Sequence, residues 1–258
     1  MKRKPSAGKW LPLARARAAA PALPTGDAFR IEWIDFERGI RVGNLEPEER
    51  ITQILKYHLE GACGTPFITD RWGRGVYWQW ICWLPRANRE AKPISNKVNF
   101  GCSKFFISAE REEAVFRSGL QVERGPARGP APYPGVLLRP DWDWHRLMAQ
   151  ARARSPLDRE LRRLVHEEGF VIEVGDWTDN VVLRGDAFRS AAQIARAAGR
   201  FAETGWVGFQ LYYPMPRSEL RTCTGPELIG AVRAVFAQVI PAMNACMQVP
   251  LRLVSKRL

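Results

Sequence analysis

Residues 75–84, GVYWQWICWL, alternate along a short aromatic-rich run, and residues 98–108, VNFGCSKFFIS, follow it after a polar gap. A two-residue period over this length specifies extended chain, so the pair reads as two strands at the middle of a sheet. Strict alternation puts Val76, Trp78, Trp80, Cys82 and Leu84 on one wholly apolar face, expected to be core. Tyr77, Gln79, Ile81 and Trp83 fall on the other, amphipathic face, which either meets a helix or offers rings to a ligand. The gap, PRANREAKPISNK (85–97), is a polar loop between prolines that carries Arg86, Arg89, Lys92 and Lys97. In the second strand Gly101 marks a bulge or a close approach. Lys104 falls on the side of Phe100 and Phe106, a position that requires an anion to meet it or a bulge to turn it out.

Hairpins and helices surround this centre. FRIEWIDF (29–36) alternates as a strand, and a helix opens at Asn44 or Leu45, with Pro47 in its first turn, and stops at Gly61. After 98–108 the pattern predicts a short helix in EREEAVFRS and a strand in GLQVERG. GPARGPAPYPG (125–135) is a connection without regular structure and the soft division of an otherwise single domain, 27–258. Asp141 is a cap for the helix WDWHRLMAQARAR, and Ser155, Pro156 and Asp158 open another that ends at Gly169. FVIEVGDWTDNVVLR (170–184) is a hairpin, Asp186 opens an Ala-rich helix to about Thr204, and WVGFQLYY (206–213) is a strand. Thr224, Pro226 and Glu227 start a strongly apolar helix that Pro241 is expected to kink or end. Strands paired through hairpins, without βαβ alternation, give an α+β fold with a mainly antiparallel sheet packed by several helices.

The charge is uneven. Of the net charge of +12, half lies between Arg71 and Lys104, where seven Lys or Arg face one acid, Glu90. Four of the ten Trp lie between Trp72 and Trp83. Residues 1–26 hold six Lys or Arg, no acid, and much Ala and Pro, the composition of a disordered basic arm or of a transit peptide. Five scattered Cys without a C-x-x-C pair indicate reduced thiols and a cytoplasmic protein. No apolar run reaches the length of a membrane span.

No P-loop, G-x-G-x-x-G, G-x-S-x-G or H-E-x-x-H occurs, and no metal ligand set is evident. Asp70 followed by Glu90-Ala-Lys92 resembles the D…E-x-K order of a superfamily of metal-dependent nucleases, although here E-x-K lies in a loop. That resemblance implies a divalent metal held by Asp70 and Glu90, with Lys92 orienting water. The composition itself points to binding without chemistry and without a cofactor. Rings stack on bases while Arg and Lys meet phosphates, so the expected contacts are Tyr77, Trp83, Arg86, Arg89, Lys92, Lys97 and Lys104, and the expected partner is DNA or RNA. A protein assembly using the same exposed rings is the other alternative.

Overall fold

Nine strands hydrogen-bond into one sheet in the computed structural model, which describes residues 22–92, 99, 101–125 and 142–254. They are β1 (Ile34–Asp35), β2 (Gly39–Arg41), β3 (Phe67–Arg74), β4 (Tyr77–Pro85), β5 (Lys104–Glu110), β6 (Val115–Arg124), β7 (Val171–Gly175), β8 (Asn180–Arg184) and β9 (Val207–Pro216). The order is β1-β2-β4-β5-β6-β9-β7-β8, with β3 also paired to β4, and every pairing is antiparallel. The fold is therefore α+β, as the hairpin pattern implied. Strands from both sides of 125–135 join the same sheet, while residues 126–135 of that connection and residues 1–21 of the basic arm lie outside the described residues.

Seven α-helices accompany the sheet among the described residues: α1 (Ile51–Cys63), α2 (Arg86–Glu90), α3 (Asp143–Gln150), α4 (Pro156–His166), α5 (Ala192–Ala198), α6 (Arg217–Leu220) and α7 (Gly225–Cys246). Residues that start helices do so for local reasons. The Ser155 hydroxyl accepts from the Asp158 N–H at α4, and Thr224 and Glu227 form a reciprocal capping box at α7. α7 is the core helix. Its Phe236 ring stacks on Phe105 of β5 at 4.7 Å and meets Trp83 of β4 at 5.9 Å. By length and composition α7 also meets the requirements of a membrane span. Its Leu228, Val232, Phe236, Val239 and Met243, however, are buried in the main hydrophobic cluster with the sheet.

Several local expectations are corrected. FRIEWIDF is interrupted by a 3₁₀ turn (Ile31–Trp33), and only Ile34–Asp35 of it pairs in the sheet, as β1. Gly61 lies inside α1, which ends at Gly64 in the left-handed conformation (φ 61°). EREEAVFRS is a reversal rather than a helix, with Ala114 at φ 52° and β6 beginning at Val115. The loop 85–97 contains α2. The Ala-rich helix shortens to Ala192–Ala198, preceded by a 3₁₀ turn. α7 runs through Pro241 to Cys246, because residues packed on either side of the proline offset the roughly 3 kcal/mol that its missing N–H and ring cost. Asp141 lies outside the described residues.

The largest correction concerns β4. Trp72 pairs with Trp80, but the next β3 residue, Gly73, pairs with Trp78, so Gln79 is an extra residue in a bulge. Gly73 (φ 150°) allows it: a Cβ there would stand 2.7 Å from Trp78 Cα. The bulge breaks the alternation. Trp78 joins Ile81 and Trp83 on the helix-covered face, and Tyr77 joins Trp80, Cys82 and Leu84 on the opposite face.

Candidate nucleic-acid interface

The β3–β4 hairpin and β2 bring arginines and rings together at one end of the sheet. Arg41 of β2 pairs with Tyr77 of β4, which pairs with Arg74 of β3, so the three stand side by side on one face. Trp72, two residues before Arg74, shares that face and is 63% exposed. From the β1–β2 turn, the Arg38 guanidinium lies 4.3 Å from the Tyr77 ring centre. Asp35 fixes Arg38 from below through Nε at 2.6 Å. The same hydrogen bond, together with the Glu37 and Arg38 backbone N–H groups, holds the Asp35 carboxyl below the usual range. On the other face Arg71 lies 4.2 Å from the Trp78 ring centre.

No carboxylate pairs with Arg41, Arg71 or Arg74 among the described residues. Arg71 and Arg74 are exposed. Unpaired guanidiniums beside accessible rings can take phosphate oxygens on the forks and a flat ring on the faces.

Of the residues singled out in the sequence, Tyr77 belongs to this group. Trp83 does not: it is fully buried against Phe236, and its Nε1 donates to Thr52 O at 3.0 Å. Lys92 is turned inward, 3.0 Å from Asp143 Oδ1 and donating to the carbonyl and side-chain oxygens of Asn88 at 2.8 Å. Asp143, the first residue of α3, is the hub of that joint, accepting also from Asn88 Nδ2 and from the N–H groups of Ser103 and Gln248. Lys104 is buried on Glu123, the anion its position required. Burial, the largest single influence, works against its charge, but Glu123 together with the nearby Cys82 and Cys102 outweighs it and holds the ammonium pKa above its ordinary value. These three side chains are closed to a polyanion because the core and local carboxylates already use them. Arg86 is exposed on α2, Arg89 donates to Asn99 Oδ1 at 2.7 Å, and Lys97 lies outside the described residues.

The nuclease-like constellation is not assembled around its lysine. Asp70 is exposed on β3 and accepts from Asn99 Nδ2 at 2.9 Å, Glu90 is exposed at the end of α2, and the Lys92 ammonium is committed to Asp143. Among the described residues no group of three or more His, Cys, Asp or Glu stands together as a metal site.

Farther along the same face the polar groups are bound to one another. Glu123 accepts from Gln121 Nε2 at 2.9 Å and from Trp206 Nε1 at 3.2 Å, and Gln121 Oε1 accepts from Trp80 Nε1 at 2.9 Å. Arg117 pairs with Glu173 at 3.0 Å and Glu113 at 2.8 Å, with its guanidinium 4.5 Å from the Tyr212 ring centre. Arg38 and Arg41 were missed in the sequence because the β1–β2 hairpin gives almost no alternating signal. Arg71, Trp72 and Arg74 were visible as RWGRG but carried no sign of their register. Searches of protein-family models, of curated proteins and of solved structures each find no match to this chain.

Proposed function

We propose that the protein is a nucleic-acid-binding protein without catalytic chemistry of its own, and that it takes a single strand at the β2–β3–β4 end of the sheet. The observation that carries this reading is the row Arg41–Tyr77–Arg74, in cross-strand register beside the exposed Trp72, with no carboxylate paired to either arginine among the described residues. A ring in such a row stacks on a base whose own partner is absent, which favours single strands over duplex. Arg41 and Arg74 flank the ring where the phosphates of that nucleotide and its neighbour would pass, and the net charge of +12 draws a polyanion to the surface. Binding is favoured over the nuclease reading because that chemistry needs Lys92 free, and it is spent on Asp143 and Asn88.

A titration of labelled single- and double-stranded DNA and RNA at two ionic strengths tests this. Single strands bind more tightly, with an affinity that falls as salt rises by a slope of about 0.7 per phosphate contacted. Tyr77→Ala weakens binding by about 1–3 kcal/mol, the value of one stacked base. Salt-insensitive binding, or a Tyr77→Ala protein that binds like the parent, removes the proposal.

A further inference from the structure

Two adjoining cavities lie next to the arginine–tyrosine row, between the segment 29–36 and the segment 217–226. One is about 420 Å³, lined by residues including Asp35, Phe36, Arg217 and Arg221. The other is about 620 Å³ and reaches Arg30, Cys223 and Gly225. Ile31, Glu32 and Arg221 line both, so the two form one groove.

Its walls are set by backbone contact. A Cβ on Gly225 would stand 1.7 Å from the Phe29 carbonyl oxygen, so only glycine lets the start of α7 approach the other wall this closely. The Arg217 N–H donates to Ala114 O at 2.9 Å and ties α6 to the sheet.

Arg30, Arg217 and Arg221 are exposed here, and none pairs with a carboxylate among the described residues. Rings hold two of them: Arg30 lies 6.0 Å from the Trp33 ring centre and Arg217 5.6 Å from that of Phe36. The groove has two carboxylates. Asp35 is occupied by Arg38 and by backbone N–H groups, which leaves Glu32, among the described residues, as the one uncommitted acid against three guanidiniums. The ligand that fits this balance is an anion with several oxygens, a phosphate above all.

The groove is continuous with the platform. Asp35 lines it and binds Arg38, whose guanidinium lies on Tyr77. We infer that the groove is a second phosphate-binding site and that one strand of nucleic acid crosses from Tyr77, past Arg38, to Arg217, Arg221 and Arg30. This inference rests on the single-strand reading above and adds to it a path and a direction.

Cys223 provides the test. It lines the groove and is the one cysteine of five that is not buried. A thiol-reactive maleimide is applied to the full chain with a long homopolymeric single strand, with a mononucleotide, and with neither. At a strand concentration about ten times Kd, a strand that crosses the groove slows labelling of Cys223 by about elevenfold. The double variant Arg217→Ala/Arg221→Ala loses that protection. Its salt slope is also smaller by about 1.4, two single-strand phosphate contacts, while Arg217→Lys/Arg221→Lys keeps the slope. The mononucleotide, occupying one end only, protects far less than the strand. A strand that binds without changing Cys223 labelling, or protection and slope that survive the alanine pair, overturns the groove path and leaves the Tyr77 platform standing. A strand that does not bind at all overturns both.

Discussion

The two ends of one sheet face use the same residue types in opposite ways. Around β5, β6 and β9, Lys104 and Arg117 are buried and meet Glu123, Glu173 and Glu113, and the amides of Gln121 and Gln210 close the gaps between them. Around β2, β3 and β4, Arg41 and Arg74 flank a tyrosine with no acid paired to them among the described residues. Cation count does not distinguish these regions; what surrounds each cation does. A charge withdrawn from water must be paired, and once paired it has no capacity left for a ligand. An arginine at the sheet's end keeps its water, its charge and its free donors.

The sharpest way to break this contrast is to remove one cation from each region and compare stability. Lys104→Ala leaves Glu123 buried without its counter-charge, a change that costs about 3–5 kcal/mol. Replacing both partners by apolar residues of similar volume, Lys104→Met with Glu123→Leu, recovers part of that loss, because the Gln121 amide and Trp206 indole then lose their acceptor. Arg74→Ala, in contrast, changes stability by no more than about 0.5 kcal/mol, as an exposed substitution does. Denaturant midpoints at constant slope measure all three. Equal losses at Lys104 and Arg74 would show that the two regions do not differ in the way described.

The same variants sharpen the comparison from the ligand side. Arg41→Ala/Arg74→Ala reduces the salt slope of single-strand binding by about 1.4 if both meet phosphates. A conservative change inside the paired region, Arg117→Lys, leaves that slope unchanged. Exposed arginines on an edge strand such as β3 also discourage strands of other molecules from adding to it. If that is their whole role, the double variant loses solubility and keeps its salt slope, so the two measurements separate the explanations.

What the sequence made legible was whatever is decided within a few residues. Ser155 and Thr224 cap helices because the groups they satisfy lie three positions on. The hairpin at 170–184 and the antiparallel α+β class follow from alternation and turn residues. Even the unsuitable place of Lys104 was readable, as a demand for an anion, although Glu123 as its source was not. What stayed hidden was set by distant partners. The separation of Tyr77 from Trp83 onto opposite faces comes from one extra residue, Gln79, in a bulge that Gly73 permits from another strand. Local alternation cannot register such a shift, and it moves every ring before the bulge to the opposite face. Lys92 looked like a loop cation because Asp143 is far from it in the chain. Arg38 and Arg41 looked ordinary because a β1–β2 hairpin this short has no period to detect.

The smallest effect separates a structural histidine from a functional one. His58, on α1, donates from Nε2 to the Thr25 carbonyl at 2.8 Å, and so fixes residues just before the segment that forms the groove. Burial lowers its pKa below the ordinary 6.5, with the nearby Arg233 adding to the shift, and the Thr25 carbonyl and Asp27 opposing it. Between that lowered value and 6.5 the unfolded chain binds more protons than the folded one. Stability from this group is therefore complete above about pH 6.5 and falls as the pH drops toward the folded value, by less than one proton's worth of slope. His58→Gln retains an N–H donor for Thr25 and removes the titration, so its stability stays flat across that window while the parent declines. Because His58 lies outside both the arginine–tyrosine row and the groove lining, the variant binds a single strand as the parent does at neutral pH. Loss of strand affinity in His58→Gln at matched stability would place the α1 end inside the binding surface and move its boundary away from Tyr77.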